Sequence, residues 1–342
     1  MKSRMLALAV LISAIPVAAI ACGGGNSSSS GSSTAAGTST PKKVTLMLDW
    51  TPNTNHSGIY VAQAKGWFKD AGLDVQIVEP AESGVEQVVG NGNADFGISV
   101  MESVIPARAE GVPIVSIAAI RQHNGSSLMS LTSENIKRPK DLEGKTYGGF
   151  GGALETALIK QFVSCDGGDP NKVKFVEVGN IDYLAGEQQN RFDFVWVFDS
   201  WDVIRARDVE HAQVSSLPFS NYLNCIPDWY TPVVITNEQM LKNDPDTVRK
   251  FIAAVSKGYD YAIQNPADTA NILLKAAPEL DKTLVTNSAQ FMTTQYVDKG
   301  RQWGLQDKDI WVKFEQFLRN AGLTTKQVDV TAAFTNDYLP KQ

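Results

Sequence analysis

Residues that bind metals or act as nucleophiles are scarce in this chain. Its 342 residues include three cysteines and three histidines. No C-x-x-C, H-E-x-x-H or G-x-S-x-G motif occurs in the sequence. Gly144, Lys145 and Thr146 match the end of a phosphate-binding loop, but Pro139 stands where the first glycine of that loop is required. We therefore predict no metal site, no cofactor and no catalytic centre.

Positive charge is also in short supply. The chain has 31 Lys and Arg residues against 37 Asp and Glu residues, which gives a formal net charge of −6. The acidic residues are scattered along the chain. Because nucleic acids are bound by clusters of Lys and Arg, this balance argues against a nucleic-acid partner.

The N-terminus has a pattern typical of an export signal. Two basic residues precede the apolar stretch 5–20, which is too short for a membrane span with stop-transfer flanks. Residues 19–22 resemble the lipobox at which bacterial lipoproteins are cleaved. We predict a signal peptide at 1–21 and a lipid anchor on Cys22, which would hold the protein on the extracytoplasmic side of the cell membrane. Ordinary secretion with cleavage nearby is the alternative.

Residues 22–40 are dominated by Gly, Ser and Thr. No charge and no large apolar side chain follows Cys22 in this segment, so it cannot bury a core of its own. We predict a flexible tether with a reach on the order of 25 Å.

Only Cys165 and Cys225 remain once Cys22 is used for anchoring. In an exported protein two such residues form a disulfide or stay as buried thiols. The sequence leaves both alternatives open.

Short apolar runs alternate with longer stretches of helical periodicity through most of the chain. This alternation predicts an α/β fold with mainly parallel sheets flanked by helices. The predicted strands cover 44–48, 75–78, 96–100, 112–118, 146–149, 173–176, 194–198 and 233–236. The predicted helices between them cover 58–69, 85–90, 102–110, 153–163 and 200–208, and the pattern is helical from residue 237 onward.

The succession of strands predicts two lobes, with more than one crossing of the chain between them. Segments 121–127 and 227–231 are rich in Gly, Pro or polar residues, and we predict the crossings there. Lobe 1 would comprise 41–124 and 231–342, and lobe 2 would comprise 125–230. Ligands commonly bind in the cleft at such a junction.

The segment after the first predicted strand has the residues of a binding loop. Asp49 and Trp50 come directly after the strand, and Asn53, Asn55 and His56 follow closely. Ligands in open α/β sheets bind beyond the carboxyl ends of the strands, so we expect these side chains near a ligand. An aromatic face beside amide and imidazole groups suits a flat, polar heterocycle.

Five motifs resemble a single family. LDWTPNTNHSGIYVAQAKGWF at 48–68 is the longest, and it is followed by NADFGIS at 93–99, DLEGKTYGGFG at 141–151, YTPVVITNE at 230–238 and AFTNDYLP at 333–340. Together they resemble the thiamine-pyrimidine-precursor-binding and riboflavin-binding lipoproteins of bacterial ABC importers. The resemblance implies the two-lobed periplasmic-binding-protein fold of type II, a monomer, and a permease with its ATPase as partners.

The resemblance also implies ligand contacts from both lobes. The residues concerned are Trp50, Asn53, Asn55, His56, Gly149, Phe150, Gly151, Glu155, Asp199, Trp201 and Tyr230. The glycine-rich turn before the helix at 153–163 would offer unpaired backbone N–H groups to a carbonyl or phosphate oxygen. Glu155 also has a simpler interpretation, as an acid that the helix dipole favours in a first turn.

The function implied is capture of a flat heterocyclic vitamin or precursor for uptake. We favour riboflavin over hydroxymethylpyrimidine or formylaminopyrimidine, because the small residues at 151–153 and Ser200 would leave a wide cleft. A related eukaryotic pyrimidine synthase consumes its own histidine and a pyridoxal phosphate, and His56 would be the reactant in that alternative. The cysteine cluster of the synthase is missing at 226–230. A carrier of sulfonates or amino-acid-like anions is a third alternative and would be expected to have Arg or Ser clusters in the opening loop, but residues 51–57 contain no Arg or Lys.

Overall fold

The computed structural model describes residues 40–324 and 326–341, which form two five-stranded sheets. The first sheet contains, in spatial order, β2 (Leu73–Val78), β1 (Lys42–Met47), β3 (Phe96–Ser99), β10 (Val233–Asn237) and β4 (Ile114–Ala119). The second contains β7 (Lys174–Glu177), β6 (Thr146–Gly149), β8 (Phe194–Phe198), β5 (Ser126–Leu131) and β9 (Val214–Pro218). Cys22 and the predicted signal peptide lie outside the described residues.

One strand in each sheet runs against the other four. In the first sheet β1 is parallel to β2 and β3, whereas β10 is antiparallel to both of its neighbours. In the second sheet β6 is parallel to β7 and β8, whereas β5 is antiparallel to β8 and β9. The exceptions, β5 and β10, are the strands with which the chain enters a sheet from the other sheet. The predicted mainly parallel direction is therefore correct, although half of the pairings are antiparallel.

Helices cover the sheets and make up most of the C-terminal third. Those before residue 230 are α1 (Ser57–Ala64), α2 (Trp67–Asp70), α3 (Val85–Gly90), α4 (Met101–Ala109), α5 (Ala153–Cys165) and α6 (Tyr183–Gln188). Those after it are α7 (Glu238–Asn243), α8 (Pro245–Gln264), α9 (Pro266–Ala276), α10 (Lys282–Met292), α11 (Lys308–Asn320) and α12 (Val330–Ala333). None of the helices in this described part of the chain is long and apolar enough to cross a membrane.

All eight predicted strands overlap observed ones, and the differences have local causes. The helix predicted at 58–69 is divided because Gly66 adopts a positive φ of 76° between α1 and α2. The segment predicted as a helix at 200–208 is π-helical over Asp199–Val203 and Arg205–Val209. β5, β9 and α6 were not predicted.

Helices α1 and α8 approach each other at a pair of glycines. A Cβ atom added to Gly258 would lie 1.9 Å from the carbonyl oxygen of Gly58, so no larger residue fits there without a shift of one helix. The neighbouring Tyr259 then reaches past α1 and donates its hydroxyl to the carbonyl oxygen of Asn55 at 2.5 Å. Tyr296 donates in the same way to Thr54. The loop after β1 is thus fixed from behind by two buried hydroxyl groups.

Two connections carry the chain between the sheets. The outgoing connection lies between Ala119 and Ser126, and the return connection lies between Tyr222 and Val233. They overlap the crossings predicted at 121–127 and 227–231, and the division of the chain into two lobes at the stated residues stays a prediction.

The return connection is attached to α5 and to α11. A disulfide joins Cys225 to Cys165 at the end of α5, so the bonded alternative is the one that the structure contains. Trp229 stacks on Phe314 of α11, with ring centroids 4.9 Å apart. The connection is therefore fixed covalently to the helix that follows β6 and by packing to the C-terminal region.

Candidate ligand-binding cleft

A cleft of about 980 Å³ is lined by residues from both sheets. From the first sheet it receives the residues that follow β1 and β3 and the starts of α3 and α4. From the second sheet it receives the turn after β6, residues 180–184 before and within α6, and the segment after β8. Most of these residues follow the carboxyl ends of strands, where open α/β sheets bind their ligands.

Aromatic faces reach the cleft from both sides. Trp50 follows β1 and is 48% exposed, and Phe150 follows β6 and is 53% exposed. Trp201 and Tyr183 add two more rings from the second side. Large exposed aromatic side chains in a concave site bury much apolar area when a flat ring enters between them.

Asn53 and Asn55 line the cleft but differ in what they can offer. The side chain of Asn53 accepts from the Asn55 backbone N–H at 2.9 Å and donates to the Thr51 carbonyl at 3.0 Å, so it mainly holds its own loop. The side-chain oxygen of Asn55 is buried and has no hydrogen-bond partner among the residues described. Asn55 is therefore the loop amide that is available to a ligand.

His56 does not line the cleft and is fully buried. Its Nδ1 accepts the backbone N–H of Asn53 at 3.2 Å, which places the ring proton on Nε2. Nε2 donates to Asp49 Oδ1 at 2.7 Å, and Asp49 does line the cleft. His56 thus orients Asp49 and is not itself placed to contact a ligand.

The glycine-rich turn differs from the prediction, because Glu155 takes up its backbone N–H groups. The carboxylate accepts from the backbone N–H of Phe150 at 3.1 Å and of Gly152 at 3.0 Å, and from the Tyr147 hydroxyl at 2.8 Å. Glu155 and Phe150 line the cleft, whereas Gly149 and Gly151 do not. An anionic ligand oxygen would meet a carboxylate here instead of free donors.

Asp199 and Tyr230 lie apart from the cleft and have structural partners. Asp199 accepts the Ser127 hydroxyl at 2.6 Å, and burial raises its pKa, with the nearby Arg121 acting in the opposite direction. Tyr230 is fully buried, and its hydroxyl accepts the backbone N–H of Asp307 at 2.7 Å.

The residues from which a wide cleft was predicted do not line this one. Ser200 is buried, and its carbonyl oxygen accepts the Ser288 hydroxyl. Neither Ser200 nor any residue of 151–153 lines the cleft, and Ala153 faces a separate groove beside α11. Six of the eleven predicted residues do line it, namely Trp50, Asn53, Asn55, Phe150, Glu155 and Trp201.

Carboxylates dominate the charged lining of the cleft, a feature that the sequence prediction largely missed. Eight acidic residues line it, namely Asp49, Glu82, Glu86, Glu102, Glu155, Asp182, Asp202 and Glu210. Arg205 is the one basic residue in the lining of this described cleft, and it is paired with Glu210 at 2.6 Å and Asp182 at 3.5 Å. The charged part of the lining is thus almost wholly negative, which disfavours anions and favours ligands with N–H or O–H groups.

Burial changes the protonation of part of this lining. The pKa of Glu102 is raised to about 7, chiefly by burial. Burial also raises the pKa of Asp202, opposed by the backbone N–H of Phe198 that it accepts. The described residues include no cluster of three or more potential metal-binding side chains.

Known proteins resemble this chain in sequence and in fold. Residues 53–269 match the model of the NMT1/THI5-like family. The chain is 27% identical over 283 residues to the formylaminopyrimidine-binding protein of Halalkalibacterium halodurans, covering 80% of this chain and 84% of that protein. It is 24% identical over 318 residues to the riboflavin-binding protein RibY of Chloroflexus aurantiacus, covering 88% and 87%.

A third relative is an enzyme, and a solved structure defines the fold. The chain is 25% identical over 310 residues to a 4-amino-5-hydroxymethyl-2-methylpyrimidine phosphate synthase of Legionella pneumophila, covering 89% of this chain and 94% of that enzyme. The periplasmic aliphatic sulphonate binding protein SsuA of Escherichia coli superposes with a TM-score of 0.68 at 14% identity, covering 88% and 94%. The chain therefore has the periplasmic-binding-protein fold.

Proposed function

The chain belongs to the NMT1/THI5-like family, and from this membership and its fold we propose that it is the extracytoplasmic binding protein of an ABC importer. The ligand we propose is riboflavin. The signal peptide at 1–21, the lipid anchor on Cys22 and the tether at 22–40 are part of the same proposal. They would keep the binding domain close to its permease and ATPase as a monomer on the outer face of the membrane.

The observation that carries the proposal is the lining of the cleft. Trp50 on one side and Phe150 and Trp201 on the other provide ring faces, and the charged side chains of the lining are carboxylates with the exception of Arg205. Riboflavin has a flat fused-ring system, an imide N–H and a chain of hydroxyl groups, so it supplies donors that carboxylates can accept. The volume of about 980 Å³ is at the upper end of the range for small-molecule sites, which suits a ligand with three rings and a side chain.

A thiamine pyrimidine precursor is the second candidate. The similarity to the formylaminopyrimidine-binding protein favours it, and the amino groups of such a ring would also donate to carboxylates. A single ring would fill less of the cleft than riboflavin does. Either ligand is uncharged, in agreement with the acidic lining.

Two other functions have less support in the cleft. A synthase that uses His56 as a reactant needs that imidazole exposed, but both of its nitrogens are occupied behind Asp49. A Schiff base with pyridoxal phosphate needs a lysine, and the described lining contains none. A sulfonate would require a free cation, whereas Arg205 is already paired with two carboxylates.

The proposed mechanism is closure of two lobes about the two connections. The predicted lobes, 41–124 with 231–342 and 125–230, each contribute one wall of the cleft. Closure would remove water from both faces of the ring, and the ligand would stabilise the closed state by its higher affinity for that state. The permease would then recognise the closed form.

Fluorescence titration tests the choice of ligand. Purified residues 23–342 should quench riboflavin fluorescence at micromolar protein, because stacking on Trp50 and burial change the emission of the flavin ring. Calorimetric titration with formylaminopyrimidine and hydroxymethylpyrimidine runs in parallel. Tight binding of a pyrimidine without flavin quenching would replace riboflavin by the second candidate. Binding of neither class would reject the proposed function.

A further inference from the structure

Glu102 is an acidic residue in the cleft with no recognised role. It is the second residue of α4, directly after β3, and its side chain lines the cleft beside Ser99 and Ser103. Its Oε2 atom is buried and has no hydrogen-bond partner in the described parts of the chain. A buried polar atom without a partner costs free energy, so its presence in a binding cleft calls for a functional explanation.

The groups around Glu102 favour a hydrogen-bond donor as the partner of its unpaired carboxylate oxygen. Asp49, after β1, and Glu86, on α3, are the titratable groups near it, and both are acidic. The return connection contributes the Trp229 indole, a donor that lies close enough to lower the pKa of Glu102 against the effect of burial. Its buried Nε1 nevertheless makes no hydrogen bond of normal geometry among the described residues, so it does not satisfy the carboxylate. On α4 itself the nearest cation is Arg108, almost two turns away and paired with Glu238.

We propose that Glu102 is the specificity-determining residue of the cleft, and that its carboxylate accepts a hydrogen bond from a ring N–H of the ligand. This inference rests on the proposed function, since it assigns the group that selects among heterocycles. The N–H would be the imide of riboflavin or an amino group of a pyrimidine. Rings that present only acceptors at this edge would leave the carboxylate unpaired and would bind weakly.

A proton should leave the protein when the ligand binds. Because burial and its two acidic neighbours raise the pKa of Glu102 to about 7, the free protein holds a proton there in part of the molecules at neutral pH. A ligand N–H bonds more strongly to the ionised form than to the protonated one, so binding favours ionisation and the Glu102 proton passes to the solvent. Affinity should therefore rise with pH between about 6 and 8 and level off above this range.

The test combines a changed protein with a changed ligand. Riboflavin and 3-methylriboflavin, which lacks the imide N–H, are titrated into wild-type protein, E102Q and E110Q by calorimetry. Glu110 lies just after the last turn of α4 and is exposed outside the cleft, so E110Q is the matched control. Each titration at pH 6.5 is repeated in two buffers of different ionisation enthalpy, which counts the protons released.

We expect methylation to weaken binding to wild type about 10- to 100-fold, the usual effect of losing a hydrogen bond to a charged group. E102Q keeps a neutral amide oxygen as a weaker acceptor, so it should bind riboflavin more weakly than wild type, release no proton, and discriminate less than wild type between the two flavins. E110Q should behave as wild type. If the pyrimidine is the ligand, the same proteins are compared with formylaminopyrimidine in the two buffers.

The outcomes separate this inference from the proposed function. Binding by wild type with unchanged affinity and proton release in E102Q would overturn the role of Glu102 alone. Uptake of a proton on binding would also overturn it, because the carboxyl would then act as a donor. The methylated flavin needs no variant, so equal affinity of wild type for both flavins decides against the inference even if E102Q does not fold. Failure of all these ligands to bind would refute both proposals.

Discussion

One histidine joins the two connections between the sheets, and this makes their stability depend on pH. His123 lies in the outgoing connection, and its Nδ1 is 2.5 Å from Asp228 Oδ2 in the return connection. Its Nε2 is 3.1 Å from Asp298 Oδ2, between α10 and α11. The hydrogen bond to Asp228 is the main reason why the pKa of His123 is raised from 6.5 to about 9. Burial acts in the opposite direction, and the charges of both acids add to the increase. The protonated ring therefore links three separate segments.

The sign and size of the effect follow from this pKa. The folded-state value lies above the unfolded one, so the stabilisation is complete below about pH 6.5 and is lost as pH rises through about 9. The difference would correspond to at most ~3.4 kcal/mol at about 1.36 kcal/mol for each pKa unit. Because 48% of the side chain is exposed, screening by solvent reduces the expected contribution to ~1–2 kcal/mol.

Urea unfolding of wild type and His123→Asn at pH 6.5 and pH 9.5 measures this contribution. We expect the variant to be ~1–2 kcal/mol less stable at pH 6.5 and the gap to shrink by about half or more at pH 9.5. Glu102 and Glu187, whose pKa values burial raises to about 7 and about 8, titrate in both proteins and cancel in the comparison. His211→Asn is the matched control, since His211 is exposed and its φ of 54° is one that Asn accepts. An equal gap at both pH values would refute the reasoning.

Three further predictions concern the cleft, the disulfide and the anchor. Trp50→Ala should weaken riboflavin binding about 10- to 100-fold, because stacking and buried apolar area are lost. Phe291→Ala, at an exposed residue outside the cleft, should leave the affinity unchanged. Equal affinities of the two variants would contradict a stacking role for Trp50. Replacing Cys165 and Cys225 together by Ser should lower the free energy of unfolding by about 2–4 kcal/mol, because the bond closes a loop of 60 residues; a denaturation midpoint equal to that of the oxidised wild type would argue against this. Cys22→Ser should move the protein from the membrane fraction to the soluble fraction on cell fractionation, and undiminished anchoring would reject the lipid.

The strands that consist mainly of apolar residues could be predicted from the sequence. All eight apolar runs became strands, but β5 and β9 have the sequences SSLMSL and VSSLP. The hydroxyl groups of Ser127 and Ser130 are buried in β5 by neighbours that lie far away in sequence, and no local periodicity records that burial. Tertiary context overrides propensity in such strands.

A site residue could be predicted where its type and position fit few structural roles, and not where they fit several. Trp50 follows a strand within a polar loop, a position with few structural uses for a large ring, and it lines the cleft. Tyr230 and Asp199 occupy comparable positions along the chain, but their polar atoms satisfy Asp307 and Ser127 in the interior. Glu102 has the spacing of an ordinary first-turn acid, so only the packing of α4 against α3 and the return connection shows that it faces the cleft.

The insertion of β10 between β3 and β4 has a consequence for the order in which the protein is completed. The five strands of the second sheet occupy an uninterrupted part of the chain, from Ser126 to Pro218, so they can assemble as soon as they have been synthesised. β4 pairs with no strand except β10 in its sheet, and must wait for more than a hundred further residues. A polypeptide made from its N-terminus would thus complete its second sheet before its first. Until Asn237 has been synthesised, the apolar strand β4 has no neighbouring strand. Rapid folding or a chaperone is then needed to prevent aggregation.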